Sequence, residues 1–285
     1  MGESRHNPDQ LLKAIQADEE NRNKGHLKIF FGYAAGVGKT YAMLEAAHME
    51  KQQGIDVVAG YVEPHARPKT AALLNGLEVL PTKEVFYNGM ILDEFDIGMA
   101  LKRKPQLILV DELAHTNAEG CRHAKRYQDI KELLNAGIDV YTTVNVQHIE
   151  SLCDTVASIT EIVVRERIPD SIFDNADQVE LIDIEPQDLI NRLNTGNVYR
   201  QTQEKQAVEN FFTIENLTAL REISLRRCAD RVNILTENTR IKIMEIITQA
   251  NIFLYVYLLL HPMRKLSVPL QKWLLLLKES LRLCL

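Results

Sequence analysis

Five short apolar runs alternate with helix-length segments along most of this chain, and that alternation constrains the fold more than any other feature. The runs read "LKIFFGY", "DVVAGYVE", "QLILVDE", "GIDVYTTVN" and "QVELIDI". Helices are predicted between them at Lys39–Gln53, Ile91–Lys104, His123–Ala136 and Gln147–Ser158. Strands separated by helices require right-handed crossovers and therefore a parallel sheet. The pattern predicts an α/β fold, a parallel sheet flanked by helices, followed by a helical extension.

Helical patterns also precede and follow the predicted sheet. A short amphipathic helix is expected at Asp9–Glu20, and a long helical region at about Gln203–Asn233. We therefore expect four parts: an N-terminal helix and linker over 1–24, the α/β nucleotide-binding domain over 25–200, a helical extension over 201–242, and a tail over 243–285.

The composition excludes several classes of protein. The 285 residues carry a net charge of −6, which argues against a nucleic-acid partner because such proteins are usually basic. The four cysteines are scattered without a C-x-x-C pair, so no zinc or disulfide framework is expected. The N-terminus lacks the apolar core of a signal peptide, and no apolar run approaches the ~18 residues that cross a bilayer. A reducing cytoplasm is the predicted location.

The run "FGYAAGVGKT", residues 31–40, ends like the phosphate-binding pattern G-x-x-x-x-G-K-[ST]. That pattern expects glycine where Tyr33 stands, and the nearest glycine, Gly32, comes one residue earlier. The run still follows a predicted strand and precedes a predicted helix, as the pattern requires. We expect a variant phosphate loop that opens at Gly32. The alternative is a glycine turn that only caps a structural helix.

Each later residue of this run has an expected role. The backbone N–H groups of Gly36, Val37 and Gly38 would point at phosphate oxygens, assisted by the helix dipole. The Lys39 ammonium would contact the β- and γ-phosphates, and the Thr40 hydroxyl would bind Mg²⁺. The run predicts a bound nucleoside triphosphate with Mg²⁺.

Two carboxylates end the third predicted strand, in "LILVDE". Asp111 would hold the magnesium through water, and Glu112 could polarise an attacking water. The alternative is that both residues cap the next helix. Hydrolysis does not follow from binding, because a positioned carboxylate does not ensure turnover.

Polar residues follow the third and fourth strands and are expected at the same edge of the sheet. "LAHTN" contributes Asn117, and "TTVNVQH" contributes Asn145. Ligands of open α/β sheets bind beyond the carboxyl ends of the strands, so both are predicted to contact the nucleotide. Each could equally be a helix cap or a turn residue.

Several blocks together resemble one family. "KIFFGYAAGVGKTYAML", "YVEPHARPKT", "LILVDELAHTN", "RHAKRYQDIKELLNAGIDVYTTVNVQHIESL" and "IPDSIFDNADQVELIDI" are similar, in this order, to the N-terminal cytoplasmic domain of KdpD-type sensor histidine kinases. The resemblance runs from about Pro8 to Lys242. It places the family's phosphate-loop lysine and threonine on Lys39 and Thr40, and its early leading glycine on Gly32.

The resemblance also implies a function. The family's acidic pair falls on Asp111 and Glu112, and the domain is an ATP-binding regulatory module that modulates kinase and phosphatase activities located elsewhere in the receptor. Its implied partners are the downstream receptor domains and, through them, a response regulator. Its implied location is the cytoplasmic face of the bacterial inner membrane, with the membrane reached only through other segments.

The last segment departs from the family. It is rich in leucine, and a one-base shift of plausible codons converts a family-like peptide into "KIMEIITQANIFLYVYLLLHPMRKLSVPLQKWLLLLKES". We expect that the residues after about Lys242 are out of frame and that the product is truncated. Two functional alternatives stay open: a nucleotide-independent interaction domain of the same receptor, and a free-standing phosphotransferase.

Overall fold

The computed structural model describes residues 24–63, 68–87, 89–194 and 211–260. The chain divides into two compact units, Met1–Ala229 and Asp230–Leu285. The sheet and the candidate site both belong to the first unit. Residues of the predicted N-terminal helix and of the last 25 positions lie outside the described ranges.

The strands form one parallel sheet and one hairpin. In chain order they are β1 (Leu27–Gly32), β2 (Val57–Tyr61), β3 (Glu78–Val79), β4 (Lys83–Tyr87), β5 (Met90–Glu94), β6 (Leu107–Val110), β7 (Asp139–Asn145) and β8 (Gln178–Leu181). The six-stranded sheet has the order β3-β2-β6-β7-β1-β8, and every pairing in it is parallel. The remaining two strands, β4 and β5, pair antiparallel.

Helices connect these strands. They are α1 (Lys39–Gln52), α2 (Pro68–Leu73), α3 (Ile97–Arg103), α4 (Arg126–Asn135), α5 (Cys153–Thr160), α6 (Asp170–Asp174), α7 (Pro186–Asn194) and α8 (Ile214–Leu260). Two 3₁₀ turns, Val146–His148 and Glu150–Leu152, follow β7. The predicted α/β class, a parallel sheet flanked by helices with a helix after it, is confirmed.

The central strands are apolar because both faces of the sheet are covered. Along β6 all four residues are buried. Alternate side chains of β1 enter two different core clusters: Phe31 packs in the larger one and Phe30 in the smaller one, with Met43 of α1. A strand buried on both faces is a continuous apolar run rather than an alternating one. This explains the apolar runs of the central strands; the fifth run forms β8, an edge strand that is only partly buried.

The prediction of a helix over Ile91–Lys104 is wrong in its first part. Met90–Glu94 is the second strand of the hairpin, and the helix covers only Ile97–Arg103. Gly89 lies in the turn that connects the two strands, with φ of 83°. A two-residue Asn-Gly hairpin turn requires a positive φ at its glycine. The helix starts after Asp96, whose side chain accepts a hydrogen bond from the Met99 N–H at 2.9 Å.

The long C-terminal helix differs from its predicted range. It begins at Ile214 and reaches Leu260, beyond the predicted end at Asn233. Residues 243–260 of the predicted tail are therefore helical, whereas 203–210 and 261–285 lie outside the described residues. Within the described ranges, no helix combines the length and the apolar character needed to cross a membrane.

Candidate functional site

A glycine loop, residues 33–38, joins β1 to α1 at the carboxyl edge of the sheet. Gly36 and Gly38 have φ of 94° and 112°, values that favour glycine. Gly32 is required for a different reason: a Cβ there would lie 2.7 Å from the Val37 Cγ2 and 3.3 Å from the Ile182 carbonyl oxygen. The early glycine thus permits the close approach of the loop, its neighbour strand and α1.

Tyr33 occupies the position where the common pattern has glycine, and its side chain is completely buried. The ring lies in the larger core cluster, and its hydroxyl donates to the Ile184 carbonyl oxygen at 3.1 Å. Burial raises the pKa of Tyr33 to about 12, so the hydroxyl stays protonated as a donor. The tyrosine therefore anchors the start of the loop in the core.

Lys39 and Thr40 open α1, and both side chains are buried. The Lys39 Nζ donates to the Ala34 carbonyl oxygen at 3.0 Å, which holds the ammonium against the glycine loop. No acidic residue lies in the first turn of α1. The positive end of the helix dipole therefore favours an anion at this point.

Asp111, directly after β6, is hydrogen-bonded to a residue of α1 and to a residue of β7. Its Oδ2 accepts from the Thr40 hydroxyl at 3.0 Å, and its Oδ1 accepts from the Thr143 hydroxyl. Asp111 is 1% exposed. These contacts are possible because β7 lies between β1 and β6, so the end of β7 fills the space between the loop and the carboxylate.

Glu112 adopts a backbone conformation unusual for its type, with φ of 60°. Its N–H donates to the Asp111 Oδ1 at 3.1 Å and to the Thr143 Oγ1 at 3.3 Å, which fixes the turn after β6. Burial raises the pKa of the Glu112 carboxyl to about 7, and the negative charges of Asp111 and Glu63 add to the rise. A carboxyl with this pKa can accept a proton near neutral pH.

A cavity of about 260 Å³ joins the glycine loop to the ends of β6 and β7. It is lined by Ala35, Gly36, Lys39, Thr40, Asp111, Glu112, Ala114, His115, Thr143, Val144, Asn145, His148 and Glu166.

The charges of this lining are mostly negative. Three carboxylates, Asp111, Glu112 and Glu166, face one ammonium, that of Lys39. His148 adds no positive charge at neutral pH, because burial lowers its pKa; its Nδ1 donates to the Glu166 carbonyl oxygen at 2.9 Å. An anionic ligand would therefore need an accompanying cation.

Asn145 supplies an unsatisfied polar atom to the cavity. Its Oδ1 is buried and has no hydrogen-bond partner among the described residues. Its backbone aligns with Gly32 in the β1–β7 register. Because a buried polar atom without a partner costs free energy, this amide fits a ligand with polar groups.

Asn117 is not brought to the cavity. Its Nδ2 donates to Asp129 at 2.6 Å and to the His123 carbonyl oxygen at 3.0 Å, and its Oδ1 accepts from Arg126 at 3.3 Å. Asn117 thus belongs to a buried polar cluster behind the Asp111–Glu112 turn. Its predicted contact with the nucleotide finds no support in this arrangement.

Two residues of that cluster were missed in the sequence. Arg126 is fully buried; it donates to the Asp111 carbonyl oxygen at 3.2 Å and to Glu94 at 3.0 Å, and its guanidinium lies 4.3 Å from the centre of the Tyr61 ring. Glu94 is also 3.2 Å from the His115 Nε2. No local pattern marks either residue, because the pair joins a hairpin to a helix 32 positions away.

Glu166 was also missed. It lies in "RERIP", outside every motif considered in the sequence, and its side chain lines the cavity. Its carboxylate accepts from the Thr116 N–H at 2.8 Å. In the part of the chain that the structure describes, no three His, Cys, Asp or Glu side chains converge as a ready-made metal centre.

The sheet and the site at its carboxyl edge define an α/β protein with a glycine loop at the start of a helix, beside a buried carboxylate. The model of the family "KdpD: Osmosensitive K+ channel His kinase sensor domain" matches residues 23–232. The chain therefore belongs to this sensor-domain family, as its sequence blocks indicated.

Similar full sensor proteins extend well beyond this chain. The chain is 62% identical over 237 residues to "Sensor protein KdpD" of Clostridium acetobutylicum, covering 83% of this chain and 26% of that protein. It is 56% identical over 229 residues to "Sensor protein KdpD" of Escherichia coli, covering 80% and 25%. It is 50% identical over 217 residues to "Putative sensor protein KdpD" of Synechocystis, covering 76% and 58%. The chain spans about a quarter of the length of the first two relatives.

Proposed function

We propose that this chain is an ATP-binding regulatory module of a potassium-responsive two-component histidine kinase. The observation that carries the proposal is the hydrogen bond between Thr40 and Asp111 beside the glycine loop. It joins a hydroxyl at the start of α1 to a carboxylate at the end of β6, the two groups that an Mg²⁺–triphosphate site needs in one place.

The residues present fit this ligand. Backbone N–H groups of the glycine loop and of the start of α1 bind the phosphates, and the Lys39 ammonium neutralises part of their charge. Thr40 and Asp111 hold Mg²⁺, which offsets the excess of carboxylates in the lining and supplies charge stabilisation on the phosphates. The unsatisfied Asn145 Oδ1 gains a polar partner.

Slow hydrolysis would use Glu112. Its carboxyl lines the cavity at the turn after β6, and its pKa of about 7 allows it to accept a proton from a water molecule near neutral pH. The hydrogen bonds of its N–H to Asp111 and Thr143 hold it in place. A slow turnover would limit the lifetime of the ATP-bound state.

The output of the module would lie in other parts of the receptor. The relatives are named sensor proteins, and this chain covers only part of each. We therefore assign kinase and phosphatase activities, attachment to the bacterial inner membrane and contact with a response regulator to those other parts. ATP occupancy in this module would modulate them through the downstream receptor domains.

A thermal-unfolding experiment tests this function. A ligand that binds only the native state must stabilise it, by about 2.7 kcal/mol at a hundred times its Kd. For a chain of this size we expect Mg-ATP to raise the Tm by about 5 °C. The matched control is Lys39→Ala, for which no rise is expected. An unchanged Tm of the folded wild-type chain would contradict the proposal.

A second candidate is a nucleotide-independent interaction domain. The hairpin favours it, because Phe86 is 75% exposed, Met90 62% and Ile91 64%. Large apolar side chains grouped on a surface often mark a contact with another protein. The same melting experiment separates the two candidates, since this one requires an unchanged Tm with Mg-ATP.

A further inference from the structure

The segment 182–185, between β8 and α7, is held from the glycine-loop side and from α8. On the loop side, the Ile182 N–H donates to the Phe31 carbonyl oxygen at 2.7 Å, and the Tyr33 hydroxyl donates to the Ile184 carbonyl oxygen at 3.1 Å. On the other side, Arg221 of α8 donates to Asp183.

Arg221 makes several hydrogen bonds to two carboxylates of this segment, an arrangement that we call the clamp. Its Nε and Nη2 reach the two carboxylate oxygens of Asp183 at 2.7–3.0 Å, and its Nη1 reaches Glu185 at 2.7 Å. Both Arg221 and Asp183 keep about a quarter of their side-chain surface exposed, at 26% and 28%. Ion pairs at this exposure contribute only modestly to stability, so the clamp can open.

The first part of α8 rests on the same region of the core. Leu217 and Leu220 are fully buried in the cluster that contains Tyr33 and Phe31. Phe31 also packs edge-on against Phe173, with ring centres 4.8 Å apart.

Arg227 of α8 makes two further contacts, both with α6. The Arg227 guanidinium lies 4.8 Å from the centre of the Phe173 ring and donates to Asp174 at 2.6 Å. Residues 217–227 of α8 are thus linked to the strand that leads into the glycine loop through Phe173 of α6 and through the shared core cluster.

The loop and the segment have little room to move independently. A Cβ at Gly32 would lie 3.3 Å from both the Ile182 carbonyl oxygen and the Lys39 Cδ. The segment is hydrogen-bonded directly to the strand and the loop, through the Ile182 N–H to the Phe31 carbonyl oxygen and through the Tyr33 hydroxyl to the Ile184 carbonyl oxygen, so a shift of the loop is transmitted to Ile182 and Ile184. Packed interfaces of this kind respond by shifting between discrete arrangements rather than by continuous deformation.

We propose that the segment 182–185 couples ligand occupancy of the glycine loop to the docking of residues 217–227 of α8. This inference rests on the proposed function and specifies how the site is regulated. Ligand in the loop stabilises the docked helix, because both require the segment in its present position. By reciprocity, loosening the clamp weakens binding of the ligand by the same factor.

Hydrogen exchange of the full chain, with and without Mg-ATP, tests the coupling. In the wild type we expect the amides of residues 217–227 to exchange about five-fold more slowly with Mg-ATP. Arg221→Gln should lose this slowing and bind Mg-ATP about five-fold more weakly. The matched control is Arg226→Gln, on the same helix, because the Arg226 side chain pairs with Glu222 one turn away and is 75% exposed. It should behave as the wild type.

A second variant tests the same coupling if Arg221→Gln folds poorly. Tyr33→Phe keeps the buried ring and removes only the hydroxyl that donates to Ile184, and it should reduce the slowing in the same direction. Wild-type chain that binds Mg-ATP without slower exchange at 217–227 would overturn the coupling alone. Folded wild-type chain that does not bind Mg-ATP would overturn the proposed function and the coupling with it.

Discussion

The Thr40 hydroxyl donates to the Asp111 carboxylate at 3.0 Å across 71 positions of the sequence. Thr40 lies at the start of α1, after the loop that follows β1, and Asp111 follows β6; these two strands are not neighbours, since β7 lies between them. Thr143 of β7 completes the arrangement by donating to the other oxygen of the same carboxylate. The Asp111 oxygens are thereby oriented before any cation arrives.

Removing the Thr40 hydroxyl should make nucleotide binding insensitive to magnesium. In Thr40→Val we expect the affinity for Mg-ATP to fall at least about ten-fold, because a hydrogen-bonded ligand of the cation is lost. The affinity for ATP in EDTA should stay at the wild-type level. Titration of a fluorescent ATP analogue with and without Mg²⁺ measures both. Thr40→Ser, which keeps the hydroxyl, is the control, and equal losses in both variants would contradict the assigned role.

Glu112 should make the stability of the chain depend on pH. Its pKa is raised from 4.5 to about 7 in the folded state, so the native state binds the proton more tightly than the unfolded state. The contribution of Glu112 to stability is then fully present below about pH 4.5, decreases as the pH rises to about 7, and is lost above that.

The variant Glu112→Gln should remove this fall. We expect it to be more stable than the wild type at pH 8, by on the order of 1–3 kcal/mol, and nearly equal at pH 4.5. Urea unfolding at the two pH values measures the difference. Glu119→Gln, at an exposed position, serves as the control, and an identical pH profile in Glu112→Gln and wild type would count against the buried carboxyl.

Any ATP hydrolysis by this chain should require ionised Glu112. The rate should fall as the pH is lowered, because protonated Glu112 cannot accept a proton. Glu112→Gln should lower the rate by about 100-fold or more while Mg-ATP still binds. Release of inorganic phosphate under single-turnover conditions checks this, and a Glu112→Gln rate equal to the wild-type rate would exclude a proton-accepting role.

The buried pair Arg126–Glu94 should dominate the local stability of the Asp111 turn. Arg126→Met leaves the Glu94 carboxylate buried without this partner and should cost about 3–5 kcal/mol. The double variant Arg126→Met with Glu94→Gln should recover part of that loss. Arg103→Gln, which breaks partly exposed pairs with Asp56 and Glu78, should cost much less. Denaturant unfolding compares them, and equal losses for Arg126→Met and Arg103→Gln would refute the prediction.

The sequence predicted the parts of this fold that depend on local patterns. Strands buried on both faces are continuous apolar runs, and the glycine loop has its strand and helix on either side. The site residues from Gly32 to Thr40, and Asp111, Glu112 and Asn145, are brought to one edge because parallel strands end together.

The missed features depend on contacts between distant segments. Met90–Glu94 resembles the start of a helix in sequence, but it pairs with Lys83–Tyr87 as a hairpin. Asn117 follows β6 as predicted, yet its amide is bound by Asp129 and Arg126 on α4. Which polar groups become buried together is decided by packing, and no periodicity in the sequence records it.

Isothermal titration calorimetry with Mg-ATP tests the central claim most directly. We expect the wild-type chain to bind one Mg-ATP, to bind far more weakly in EDTA because of the acidic cavity, and to lose binding in Lys39→Ala. Lys24→Ala, at an exposed position away from the loop, should bind as the wild type. Folded wild-type chain that releases no binding heat at several temperatures, or Lys39→Ala that binds with unchanged affinity, would contradict the assignment of this loop as a triphosphate site.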